Sequence, residues 1–320
     1  MADQNQQARQ FAARLDRGLI AAVPAPFDEN GRVVEEAQES YIRYMAAQPV
    51  AGVAVWVHTG RGLCLSREQR REVLAAWRRG LPREKLIVAG AGAPASLAAD
   101  PAAYTSAALR MADDALAGGA DALLVHPPRV HDVSGYHRVL AGAGLPLLLF
   151  YLYEAAGGVS YSDAMLRELL ALPEAAGIKM ATLDSVMRYQ DVSRLMEEFP
   201  GRLLVTGEDR FFGYSFMRGA RAALVGMGSA CCRLQAGLMR AWFEDAGSEF
   251  LRLSRQVDAL AETTFIPPME GYIQRMLLVL AEQGVIPDTA TFDPWGPALD
   301  RAAERARIRA LLDELEMRRG

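Results

Sequence analysis

Short apolar runs rich in β-branched residues alternate with amphipathic stretches of helical period, and the alternation repeats eight times. The runs occupy 19–23, 52–57, 86–89, 122–125, 146–152, 176–180, 203–206 and 222–225. This is the pattern of strand–helix units feeding a parallel sheet whose faces are covered by helices. Helices are predicted between the runs, among them 34–48, 66–80, 101–117, 162–172 and 184–198. Their starts carry side chains able to accept from the free amides of a first turn: Ser66 with Gln69 three residues on, Asp100 before Pro101, Ser162 before Asp163, and Asp184 before Ser185. Eight units in about 230 residues fit a closed (β/α)₈ barrel of the TIM type. An open doubly wound sheet would stop at about five to seven strands.

From Cys231 onward the alternation ends, and helices are predicted over 232–263, 270–284 and 299–318, punctuated by Pro267, Pro268, Pro287, Pro294 and Pro297. The expected organisation is therefore a barrel over 1–230 and a helical extension over 231–320. No segment rich in Gly or Ser separates them, so the extension should pack on the barrel or on a partner subunit.

A net charge of -4 without a basic stripe argues against nucleic acid as a partner. Nor is a membrane partner expected, because no stretch approaches the roughly 20 apolar residues of a span and the first residues lack the apolar core of a signal peptide. Three cysteines, Cys64, Cys231 and Cys232, make no disulfide framework, which fits a cytoplasmic protein. A small molecule is the expected ligand.

In barrels of this type chemistry gathers at the C-terminal ends of the strands. There the chain places His58, Thr59, Gly60 and Arg61 after the second run, His126 and Arg129 after the fourth, and Tyr151, Tyr153 and Glu154 at the fifth. Lys179 and Thr182 mark the sixth, and Thr206, Gly207, Glu208 and Asp209 the seventh. Lys179 interrupts the apolar run Ala175-Ala176-Gly177-Ile178-Lys179-Met180-Ala181. Burial disfavours an ammonium and lowers its pKa, which is what a lysine nucleophile requires. The alternative is a strand-end lysine paired with Glu208 or Glu154. The turn at 59–62 offers amides and a hydroxyl to a carboxylate, or is a plain tight turn. Arg61 and Arg129 are either solvated loop charges or, facing the mouth, a preference for an acidic substrate. His58, His126, His131 and His137 lack the spacing that puts two ligands on one face, so no metal is expected, and His58 and His126 are candidates for acid/base work.

At these residues the chain resembles the dihydrodipicolinate synthase / N-acetylneuraminate lyase family of class I aldolases over about residues 18–240. Gly177-Ile178-Lys179-Met180-Ala181-Thr182 is similar to the family's Gly-Ile-Lys-Glu-Ala-Thr around a Schiff-base lysine. Val23-Pro24-Ala25-Pro26-Phe27-Asp28 resembles its opening Thr-Pro-Phe turn, and 52–60 with Leu65-Ser66 its second strand and next helix start. The resemblance implies a homotetramer without metal or organic cofactor. It also implies a pyruvate-type imine on Lys179, and a keto-acid carboxylate held by Thr59 and Gly60.

Departures accompany it. Val57-His58-Thr59-Gly60-Arg61 stands where the family has Gly-Thr-Thr-Gly-Glu, and Pro127-Pro128-Arg129 where it has the Pro-Tyr-Tyr of a proton-shuttling phenol. Tyr151 matches the tyrosine of Tyr-Asn-Val-Pro, whereas Leu152 replaces the asparagine and Ala156 the arginine that holds a semialdehyde carboxylate.

The expected enzyme is a Schiff-base lyase performing aldol cleavage or condensation on a keto acid, without true dihydrodipicolinate synthase activity. Lys179, Tyr151, Tyr153, His58 and His126 are the candidate catalytic residues, with Thr59, Gly60, Arg61, Arg129, Thr182 and Glu208 contacting substrate. The alternatives are a dehydratase or decarboxylase of a sugar-derived keto acid using the same imine, and a non-catalytic barrel that binds an acidic metabolite.

Overall fold

The computed structural model describes residues 2–317. Eight parallel strands close into one barrel in sequence order, the last pairing with the first. The chain enters through α1 (Ala2–Leu15), and the first half then runs β1 (Leu19–Ala22), α2 (Glu35–Ala46), β2 (Gly52–Val55), α3 (Arg67–Gly80), β3 (Leu86–Ala91), α4 (Pro101–Ala117) and β4 (Ala122–Val125). The second half runs α5 (Val133–Ala141), β5 (Leu147–Leu152), α6 (Asp163–Leu170), β6 (Ala175–Ala181), α7 (Val186–Met196), β7 (Leu203–Thr206), α8 (Phe212–Met217) and β8 (Ala222–Val225). Helices α9 (Cys232–Phe243), α10 (Gly247–Thr264), α11 (Tyr272–Glu282) and α12 (Arg301–Glu314) complete the chain.

Every strand residue is buried, and alternate side chains go to two different cores. Ile20, Leu124, Leu148, Phe150, Val205 and Leu224 fill the barrel interior. Leu149, Tyr151, Ile178, Met180 and Leu204 pack outward into the helical layer. Phe11 and Leu15 of α1 join the interior core, and Arg14 bonds Asp121 and the Glu84 carbonyl at the starts of strands. An element that composition marked only as lacking a leader-like core thus plugs the N-terminal end of the barrel.

Ser66, Asp100 and Ser162 cap their helices, Ser66 through a full capping box with Gln69. The cap of α7 is Ser185, which accepts from the Arg188 amide, rather than Asp184. Strand β2 stops at Val55 instead of 57, because Trp56 turns left-handed with φ 60. The helix expected over 232–263 is two helices, broken where Asp245 takes φ 57 and the Ala246 amide returns to the Ala241 carbonyl. Of the last predicted helix, residue 318 lies outside the described residues. Leu238, Leu260, Leu277 and Leu312 of the C-terminal helices share one apolar core with Leu19 and Ala223 of the barrel wall. That packing brings the segments around 270 and 293 over the C-terminal mouth.

Candidate active site

Strand β6 places Lys179 between two outward-facing neighbours, so its side chain turns into the barrel. Its Nζ lies 4.3 Å from the centre of the Phe150 ring. Gly207 leaves the chain room: a Cβ there would come within 2.5 Å of Lys179 Cε. Burial lowers the Lys179 pKa below the ordinary lysine range, opposed by the negative charges of Asp209 and Glu208. Asp209, fully enclosed, accepts from the Met227 amide at 2.7 Å, and burial raises its carboxyl above the usual range.

Tyr151 is not beside the lysine. The β5–β6 ladder shifts register between Leu147 and Leu148, which sets Phe150 against Lys179 and Tyr151 against Met180. The phenol therefore faces the helical layer, 5.7 Å from the Tyr161 ring and under the Arg188 guanidinium. The motif match to Tyr151 is corrected accordingly: the aromatic ring next to the amine is Phe150, which has no hydroxyl.

Thr182 and Glu208 are spent on one another. Glu208 accepts from the Thr182 amide at 2.6 Å, the Thr182 hydroxyl at 2.9 Å and the Leu183 amide at 2.9 Å, and Leu183 takes φ 47 to present it. Burial still pushes the Glu208 carboxyl up to about 7. With its oxygens occupied and no exposed surface, Glu208 locks the end of β6 instead of contacting substrate.

At the mouth, the turn 58–60 meets the C-terminal region. His58 Nε2 lies 3.0 and 2.9 Å from the two oxygens of Glu270. The Tyr153 hydroxyl donates to the same carboxylate at 3.2 Å. Arg61 is neither solvated nor free for substrate. Its Nε and Nη2 grip Asp293 at 3.0 and 2.7 Å, and Nη1 donates to Glu270 at 3.1 Å. The Thr59 hydroxyl is 2.9 Å from the Tyr272 hydroxyl, and the Gly60 amide donates to the Val57 carbonyl, so it is closed to a carboxylate ligand.

Burial alone would raise the Glu270 carboxyl, but hydrogen bonds and charge from His58 and Arg61 hold it at about 2. A depressed carboxyl stabilises the fold above its unfolded value of 4.5 and loses that contribution as pH falls toward 2. We therefore expect the melting temperature of Glu270→Gln to fall less between pH 4.5 and 2 than that of the wild type. Thermal scans across that range check it; equal slopes would remove Glu270 from the acid response.

His126 is buried at the end of β4, its Nε2 3.2 Å from the Trp56 carbonyl and its ring 6.4 Å from that of Phe150. Burial brings its pKa down to about 4. Arg129 is exposed, lying over Gly157 of the next loop. His131 is exposed and His137 is buried on α5 against the Val133 carbonyl, and no metal-holding cluster of His, Cys, Asp and Glu occurs among the described residues. Lys179, His126 and Phe150 thus meet inside the barrel, while His58, Thr59, Arg61 and Tyr153 meet at its rim.

Glu270, Tyr272 and Asp293 were invisible in the linear pattern because their partners His58, Thr59 and Arg61 lie more than 200 residues away. Asp209 carried a signal, standing at the end of the seventh strand, but nothing in its neighbours gave it a role.

Comparison with known proteins places this geometry. The model of the dihydrodipicolinate synthetase family matches residues 16–313. The chain is 27% identical over 316 residues to an uncharacterized DapA-like lyase of Chloroflexus aurantiacus, covering 93% of this chain and 97% of that one. The crystal structure of dihydrodipicolinate synthase from Agrobacterium tumefaciens superposes with a TM-score of 0.80 at 26% identity, over 95% of this chain and 99% of that one. A sialic acid aldolase of Ruminococcus gnavus superposes equally well, with a TM-score of 0.80 at 18% identity over 95% and 99% of the two chains, and shares the fold. No helix of the described residues is long and apolar enough to cross a membrane. The chain belongs to the dihydrodipicolinate synthetase family and is an aldolase-like lyase.

Proposed function

We propose that the chain acts on a pyruvate-like 2-keto acid by forming a Schiff base through Lys179. The observation that carries this reading is the amine itself, buried inside the barrel near the active end of β6 and kept below the ordinary lysine range. The chain has only two lysines; arginine supplies all its other side chains of that charge class. The second lysine, Lys85, sits before β3 and donates to the Met45 and Gln48 carbonyls, which explains it structurally. Lys179 has no such carbonyl partners among the described residues, only the Phe150 ring and the negative charges of Asp209 and Glu208.

The neutral amine adds to the ketone carbon, the carbinolamine loses water, and the protonated imine draws electrons from the adjacent carbon. Aldol cleavage or condensation follows. Thr59, sharing its hydroxyl with Tyr272, would hold the carboxylate at the rim. Arg61 is already neutralised by two acids, so Arg129 is the cation left for a second acidic group. In this reading the enzyme is a cytoplasmic homotetramer that needs no metal or organic cofactor.

Borohydride reduction in the presence of pyruvate, followed by peptide mass spectrometry, tests it. The expected result is one reduced adduct on the peptide containing Lys179. Absence of an adduct with pyruvate and with longer 2-keto acids would reject the imine.

A further inference from the structure

Resting on the Lys179 imine, we propose that His126 is the base that takes the proton from the carbon next to that imine, and that the Trp56 carbonyl holds it in the form able to do so. The first support is backbone strain. Trp56 is a bulky, fully buried residue in the left-handed region, φ 60, a conformation such side chains avoid unless their surroundings impose it. Its indole is tethered, Nε1 donating to the Arg70 carbonyl at 2.8 Å. Its carbonyl is accommodated by missing side chains: a Cβ at Gly62 would lie 1.9 Å from that oxygen, and one at Gly90 2.3 Å. The product of this arrangement is a carbonyl pointing at His126 Nε2 from 3.2 Å.

A carbonyl can only accept, so Nε2 carries the hydrogen. In a neutral imidazole the lone pair is then on Nδ1, which has no hydrogen-bond partner among the described residues. Burial keeps the ring neutral, in agreement with this assignment. The location is suitable as well. His126 packs against the Phe150 ring, and the Lys179 amine lies over that same ring. The other candidates are less free: His58 is bound by both oxygens of Glu270, Tyr153 donates to Glu270, and Tyr151 faces the helices.

The C3–H bond of the pyruvate imine breaks and its proton goes to Nδ1. The electron pair becomes the C2–C3 double bond, and the C–N π pair returns to nitrogen, leaving an enamine and an imidazolium. Return of a proton from solvent to C3 reverses it, so pyruvate in heavy water acquires deuterium at its methyl group.

Full-length wild type, His126→Gln and His131→Gln, the latter at the exposed histidine of the loop before α5, are compared by two readouts: borohydride trapping of pyruvate on Lys179, and deuterium incorporation into pyruvate followed by NMR. Glutamine retains an N–H able to reach the Trp56 carbonyl but has no basic nitrogen. We expect His126→Gln to trap pyruvate as the wild type does while exchange slows by about 10²–10⁴-fold, and His131→Gln to exchange within a few-fold of wild type. Exchange at the wild-type rate in His126→Gln, or an equal slowing in His131→Gln, would overturn the assignment. If the wild type traps nothing, the imine reading fails first and the assignment falls with it. His126→Asn serves the same comparison should the glutamine variant not fold.

Discussion

Replacing Lys179 with methionine is expected to abolish imine trapping and lower turnover on the order of 10⁴-fold or more, because in the proposed reaction it removes the nucleophile and no second lysine lies nearby to replace it. The only other lysine is occupied with carbonyls before β3. Methionine matches the lysine stem in length and fills the space beside Phe150 and Gly207. Removing an ammonium that burial penalises, with the neighbouring Asp209 carboxyl already raised by burial and able to take a proton, should therefore leave the melting temperature unchanged or raise it. This split between lost chemistry and retained stability distinguishes a catalytic amine from a structural one. A large fall in melting temperature, or an adduct that persists in the variant, would contradict it.

The second large effect concerns stability. Arg61 binds Asp293 through two nitrogens and Glu270 through a third, and the Asp293 side chain is only 1% exposed. Arg61→Ala would leave that carboxylate buried without its partner, a loss of about 3–5 kcal/mol for a broken buried pair. Urea unfolding measures it. Removing both members, as in Arg61→Met with Asp293→Leu, should recover most of the loss, since the buried carboxylate is gone and the more exposed Glu270 keeps His58 and Tyr153. A single-variant loss below about 1 kcal/mol would mean that Asp293 finds water on its own.

Much of the architecture could be read from the chain because barrel strands are buried on both faces and so appear as unbroken apolar runs. Lys179 stood out for the same reason: a cation in such a run has to be explained. What could not be read follows from two physical facts. Successive side chains of β5 point to opposite faces, so a motif match one position off selected Tyr151, which faces the helices, when the structure puts Phe150 at the amine. The rim was hidden because Glu270, Tyr272 and Asp293 reach His58, Arg61 and Thr59 only after the whole barrel has closed. The break at Asp245 was missed although Gly247 and Ser248 stand just beyond it, because a single glycine inside a long helical pattern is tolerated and does not by itself end a helix.

The C-terminal contribution to the rim bears on how such enzymes can be recombined. A chimera that kept residues 1–230 and borrowed the tail of a relative would inherit a foldable shell, yet His58 and Arg61 would meet carboxylates only if the donor supplied them at the right height. Barrel and tail must then be exchanged together, and the inheritable unit of specificity is the seam between them.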